Sequence, residues 1–329
     1  MSFAEIIMNP GSNQASLSWS SEEANQLLNG DVSAAAYSEN EPSPQGSTKV
    51  STSIRSANGA ALSAPAKTVQ IFDTSGYSHQ PSVNARAALV MDGQTGEVLY
   101  SKNSNTAFPI ASITKLMTAV VIADARLNMS ENITLQQIDF AGAGGKNSSS
   151  TLRAGDSMNR AEALLFALMK SENPAAAALA RTYPGGRAAF VAAMNAKAKA
   201  LGMNSSRYVE SSGLDPRNVS SARDLGILVN TAAQYGLIRQ FSTTPSYDFN
   251  LGYRVLKSNN TNALVRNGGW NINISKTGYI NEAGRCVVMH TTLNNRPAVV
   301  VLLGADTSAA RTSDATRLMT WVTQLPKRI

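Results

Sequence analysis

Pro109-Ile-Ala-Ser112-Ile-Thr-Lys115-Leu-Met-Thr-Ala-Val-Val-Ile122 reads as the opening of a wholly buried helix. Leu116, Met117, Ala119, Val120, Val121 and Ile122 leave no polar stripe, the pattern of a helix packed on all sides. At about 3.6 residues per turn, Ser112 and Lys115 share one face of its first turn. A hydroxyl beside an amine at a helix mouth suits an activated nucleophile with an unusual base. The plainer reading is a Ser cap followed by a solvated Lys. Taken alone, the pair fits the plainer reading better, and the rest of the chain has to decide.

Upstream, Ala87-Ala-Leu-Val-Met91, the turn Asp92-Gly-Gln-Thr-Gly96 and Glu97-Val-Leu-Tyr100 read as an antiparallel hairpin. Downstream, Asn159-Arg-Ala-Glu162 starts a helix that ends at Ser171-Glu-Asn-Pro174, and Pro174 suits the start of the next helix, to Arg181. Helices follow over 188–201 and 221–229. The chain then turns β-rich, with strands in Asn271–Ser275, Arg285–His290 and Ala298–Leu303. A last helix carries Leu318, Trp321, Val322 and Leu325 on one face. The expected class is α/β: an antiparallel sheet built from both chain ends, flanked by helices, plus a helical lobe.

Residues 9–66 are rich in Ser, Asn, Ala, Gly and Pro without either apolar period, so 1–80 is expected to be a largely disordered leader and 81–329 the folded domain. The net charge of +7 divides unevenly, with −4 on residues 1–80 and +11 on the remainder. A basic body favours an anionic partner. No Lys/Arg run or aromatic-interleaved basic stripe is present, so nucleic acid is not expected. No apolar run reaches the ~18 residues of a membrane span, and the N-terminus has no obvious signal peptide. Cys286 is the single cysteine, so an internal disulfide is impossible.

Histidine is scarce, with His79 near the leader and His290 in an expected strand. Nothing in the sequence points to a Ser-His-Asp triad built on His290. Cys286 and His290 share a strand face about 13 Å apart, too far to hold one ion. No Gly-rich phosphate loop occurs, so neither a metal nor another cofactor is expected. Lysine-based activation remains. Lys115 is the one lysine with Ser three residues before it, and Lys276-Thr-Gly278 is the one Lys-Thr-Gly. Ser-x-Asn is cheap, since Ser38, Ser130 and Ser157 begin others. Ser171-Glu-Asn173 is singled out by its place after an apolar helix and between the other two motifs.

Ser112-x-x-Lys115, Ser171-x-Asn173 and Lys276-Thr-Gly278, in this order, resemble the three motifs of the penicillin-binding proteins and serine β-lactamases. Met169-Lys-Ser-Glu-Asn-Pro-Ala-Ala and Lys276-Thr-Gly-Tyr-Ile-Asn-Glu-Ala-Gly-Arg285 narrow the resemblance to the low-molecular-mass D-alanyl-D-alanine endopeptidases of the penicillin-binding protein 7 type. Ser212-Gly-Leu-Asp215 and Ser221-Ala-Arg-Asp224 fit the same family. The resemblance covers residues 83–329, and Glu172 stands where the related carboxypeptidases usually have Gly.

It implies a serine β-lactamase/DD-peptidase-like fold. It also implies Ser112 as the acylated nucleophile, Lys115 as its base and Ser171 as a proton relay to the leaving amine. Asn173 would hold Lys115 and the substrate amide, and Lys276 and Thr277 would engage a substrate's terminal carboxylate or, by their charge, keep the site basic. Gly278 belongs to the same motif, and Ser112 and Tyr279 would supply oxyanion N–H groups. Arg285 either binds a substrate carboxylate or flanks its strand. Glu172 is expected to be exposed, and Arg223 to pair with Asp224. The implied partners are peptidoglycan stem peptides and, as covalent inhibitors, β-lactams, in a periplasmic setting. The alternatives are a D-alanyl-D-alanine carboxypeptidase, a β-lactamase, a non-catalytic penicillin-binding sensor and a general serine esterase. Endopeptidase action on D-alanyl-meso-diaminopimelyl cross-links is the favoured expectation.

Overall fold

The computed structural model describes residues 80–142 and 150–326, with an isolated pairing of Ile7–Met8 and Ala15–Ser16. His79 and nearly all of the expected leader lie outside the described residues. Both ends of the described chain feed one antiparallel sheet. The early hairpin supplies β1 (Ala87–Asp92) and β2 (Val98–Lys102). The late strands are β3 (Asn271–Ile280), β4 (Gly284–Leu293) and β5 (Arg296–Ala305). Their order is β3-β4-β5-β1-β2, which puts the Lys276 strand at an edge. Asp92 forms the hairpin turn by accepting from Gln94 N and Thr95 N, both at 2.9 Å.

Helices cover both faces of this sheet, which is why β1 is buried at every residue instead of alternating with polar ones. Four helices of the chain are α1 (Thr114–Asp124), α2 (Asn173–Arg181), α3 (Ala222–Ala232) and α4 (Ser308–Gln324). Ala88, Val90, Met289 and Val300 point to one face and pack with Leu318, Trp321 and Val322 of α4. Leu89, Met91, Val288 and Val301 point to the other and join α1, α3 and the helical lobe in the larger core. The period of two along each strand separates the two cores.

The expected α1 differs at its mouth. Ser112 lies in a short 3-10 turn, Ala111–Ile113, and the α-helix proper begins at Thr114. No side chain caps that end. Its first turn is tightened by Ile113 N donating to Ile110 O at 3.2 Å. Every residue from Thr114 to Ala123 is buried, as the unbroken apolar run predicts.

Leu318 is fully buried between α4 and the sheet, on the face away from α1. Leu318→Ala should lower unfolding stability by about 2–5 kcal/mol through lost contacts and the cavity left behind. Urea denaturation reads this. A loss well under ~1 kcal/mol would mean that α4 does not clamp the sheet as described.

Candidate active site

Ser112 sits where three distant segments meet. Its neighbour Ala111 has a φ of 47°, a left-handed conformation that an L side chain adopts at a cost of about 1–2 kcal/mol. Two glycines from elsewhere in the chain press on that turn. A Cβ on Gly213, itself at φ +87°, would stand 1.8 Å from Ala111 O. One on Gly278 of β3 would stand 3.0 Å from both Ile110 O and the Ser112 nitrogen. Only residues without side chains allow the backbone this close.

Lys115 points into the same junction and is fully buried. Its Nζ lies 2.8 Å from Ser112 Oγ, 2.5 Å from Asn173 Oδ1 and 2.7 Å from Ser212 O. Burial disfavours the charged form and lowers its pKa to about 7, against the upward pull of the Glu210 and Glu172 carboxylates. A neutral amine keeps two N–H donors and one lone pair. The amide and backbone oxygens can only accept, so the lone pair faces the Ser112 hydroxyl. The arrangement is that of an amine able to take a proton from an alcohol.

Ser171 reaches the cleft through an irregular helix end. Phe166–Lys170 is a π-turn, and Ser171 leaves it at φ 66° and ψ 30°. Such single π-turns recur at functional sites because they redirect one residue. Here Ser171 Oγ accepts from Lys276 Nζ at 2.8 Å. Asn173 follows as the first residue of α2, with Pro174 next, where a missing N–H costs nothing. Lys276 is also buried, and its Nζ donates to Thr277 O at 2.9 Å. Burial lowers its pKa well below the ordinary lysine value, and the charges of Lys115 and Arg311 add to that. Thr277 Oγ1 donates to Thr261 Oγ1 at 2.6 Å.

The expected residues thus gather as two bonded sets, Ser112–Lys115–Asn173 and Ser171–Lys276, joined by the short segment Ser171-Glu172-Asn173. Tyr279 is 46% exposed at the mouth, and the Arg285 guanidinium lies 3.5 Å from its ring centroid. The two residues are cross-strand partners in β3 and β4, so Arg285 stands at the same end of the cleft.

Two expectations are corrected. Glu172 is buried, because its carboxylate accepts from Ser150 Oγ at 2.5 Å, Thr151 Oγ1 at 2.6 Å and Thr151 N at 3.3 Å. Asp224 does not pair with Arg223. It accepts from Ser205 N at 2.7 Å and Ser206 Oγ at 2.8 Å. The contact that sequence reading missed is Ser212 O, which orients Lys115. Its only signal was the family-like Ser212-Gly-Leu-Asp215.

The chain has relatives among known proteins. A profile of the D-alanyl-D-alanine carboxypeptidase peptidase family matches residues 75–307. The chain belongs to that family. It is 47% identical to a D-alanyl-D-alanine endopeptidase of Pseudomonas aeruginosa, covering 75% of this chain and 80% of the relative. It is 45% identical to a D-alanyl-D-alanine endopeptidase of Escherichia coli, covering 74% and 78%. Among solved structures it is similar to the Streptomyces K15 DD-transpeptidase. That match has a TM-score of 0.69 and 28% identity, over 75% of this chain and all of the other. The protein is therefore a serine DD-peptidase with the α/β fold of that group. Among the described residues, no helix is long and apolar enough to cross a membrane.

Two substitutions test the tight junction. Gly186 has φ +73° but open space around it, so Gly186→Ala should cost only the left-handed backbone penalty of about 1–2 kcal/mol. Gly213→Ala adds the clash with Ala111 O and should cost clearly more. Equal losses in chemical denaturation would show that Gly213 does not bear on the Ser112 turn.

Proposed function

We propose that residues 81–329 form a peptidoglycan DD-endopeptidase domain that cleaves D-alanyl-meso-diaminopimelyl cross-links through a serine acyl-enzyme. The observation that carries this is the surroundings of the Lys115 amine, in which Ser112 Oγ–H is the one neighbour with a proton to give. Ser112 Oγ attacks the D-alanyl carbonyl while Lys115 accepts its proton. The C–N bond breaks, and the proton passes by way of Ser171 to the leaving diaminopimelyl amine. Water then hydrolyses the ester and restores Ser112.

Asn173 holds both Lys115 and the substrate amide. The N–H groups of Ser112 and Tyr279 face the developing oxyanion, and Gly278 lets β3 pass close enough for that. Lys276 and Thr277 engage a substrate carboxylate, with Arg285 at the mouth of the cleft. A β-lactam, a strained cyclic amide, acylates the same serine. The identities of 47% and 45% to endopeptidases, against 32% and 30% to carboxypeptidases, support the endopeptidase reading. The substrate implies a periplasmic protein.

Digestion of purified cross-linked muropeptide dimers and monomeric pentapeptides tests this reading. Dimer cleavage is expected. Release of D-alanine from pentapeptide alone would make the protein a carboxypeptidase, and stable acylation without cleavage of either would make it a sensor. Ser112→Ala should abolish labelling by a fluorescent penicillin.

The pH dependence follows from Lys115. Its base form is neutral, so acylation should fall about tenfold per pH unit below about pH 7 and level off above it. A rate of penicillin acylation that stays flat from about pH 5 to 8 would remove Lys115 as the base.

A further inference from the structure

We propose that Glu210, which belongs to none of the three motifs, is a positioning residue that sets the Ser112–Lys115 pair by building the 209–218 loop around its carboxylate. The inference rests on the reading of Lys115 as the base. Glu210 Oε2 accepts from Ser212 N at 2.5 Å and Ser212 Oγ at 2.6 Å. Oε1 accepts from Gly213 N at 2.5 Å, Asn218 Nδ2 at 3.0 Å and, more weakly, Asp215 N at 3.4 Å. Backbone N–H groups of an irregular segment must find partners, and one carboxylate here gathers three of them.

That gathering decides what the loop presents to α1. Ser212 O accepts from Lys115 Nζ, and Ser211 O accepts from Thr118 Oγ1 at 2.7 Å. Asn218 O accepts from Ile110 N at 3.1 Å, and Asn218 Nδ2 donates to Thr114 Oγ1 at 3.1 Å. Gly213 lies against Ala111 O. The loop therefore grips the chain before Ser112, after it, and at the lysine itself. Each of those contacts involves a residue that Glu210 binds or the residue beside one.

The same carboxylate acts through its charge. The charged groups acting on Lys115 are Glu210 from the loop, Glu172 from the head of α2 and Lys276 from β3. Glu210 also borders a cavity of about 210 Å³ shared with Asp139 and Arg187, so its outer side is not sealed. Both carboxylates favour the protonated amine. Removing the Glu210 charge therefore leaves Lys115 neutral to lower pH.

Penicillin acylation measured against pH separates this from a purely structural role. Glu210→Gln keeps the size and removes the charge. It should move the acid limb down by about half a pH unit or more and lower the plateau roughly tenfold through the displaced Ser212 carbonyl. Glu210→Asp keeps the charge one methylene short and should lower the plateau with the limb in place. An unmoved limb in Glu210→Gln overturns the proposal, whatever the plateau does. If thermal melting shows that Glu210→Gln does not fold, Glu210→Asp decides: a wild-type plateau or a shifted limb overturns it. Ser112→Ala is run alongside. Labelling of that variant would sink the catalytic reading itself. Its absence together with a wild-type profile in Glu210→Gln sinks only the role of Glu210.

Discussion

Burying a lysine amine among three oxygens is the constraint on which the cleft depends. An ammonium in an apolar interior costs several kcal/mol unless paired, and the group responds by giving up its proton. Lys115 does so near neutral pH. Its surroundings then fix what the neutral form can do, because Asn173 Oδ1 and Ser212 O each demand an N–H. An amine has two to give, and its remaining valence is the lone pair. Under the proposed reading, the choice of Lys115 as base and the direction of proton transfer rest on counting donors and acceptors around one nitrogen.

Holding those oxygens in place takes backbone that would not otherwise be chosen. Ala111 and Ser171 both occupy the left-handed region without being glycine. Strain of this kind persists only where the surroundings leave no alternative. At Ala111 the surroundings are Gly213 and Gly278, brought from the loop and from β3. At Ser171 they are the π-turn behind it, where Glu172 N donates to Phe166 O at 3.1 Å, and the hydrogen-bonded Glu172 and Asn173 side chains ahead. The stiffness comes from α1, whose burial from Thr114 to Ala123 makes it a post against which three segments can be positioned.

Much of this was legible in the sequence. The three-residue spacing places Ser112 beside Lys115 in either a 3-10 or an α-helical turn, so the error over which turn it is leaves the pairing intact. The alternation before Lys276 predicts its strand, and the apolar runs at both ends predict the sheet. What escaped was contact made by groups without sequence identity. Ser212 O is a backbone carbonyl 97 residues from the lysine it orients, and any residue could supply it. Glu172 was misjudged because glutamate is exposed in most settings, and the donors that let it sink lie 21 and 22 residues upstream in a polar stretch. The left-handed Ser171 has no signal at all, since a serine there gives no hint of positive φ.

The two buried lysines show how position alone separates one residue type into two chemistries. Both lose basicity by desolvation. Lys115 has two carboxylates working against that loss, which leaves it near neutrality. Lys276 instead feels Lys115 and Arg311, and Arg311 in turn is pressed by Arg285 and Arg266. Around Lys276 the named charges are all positive, so an anion entering there relieves repulsion at several sites together. Under the proposed reading that anion is a substrate carboxylate, and its arrival favours the protonated form of Lys276 while Lys115 stays the base. The relay through Ser171, which accepts from Lys276 at 2.8 Å, is then in place before that anion arrives.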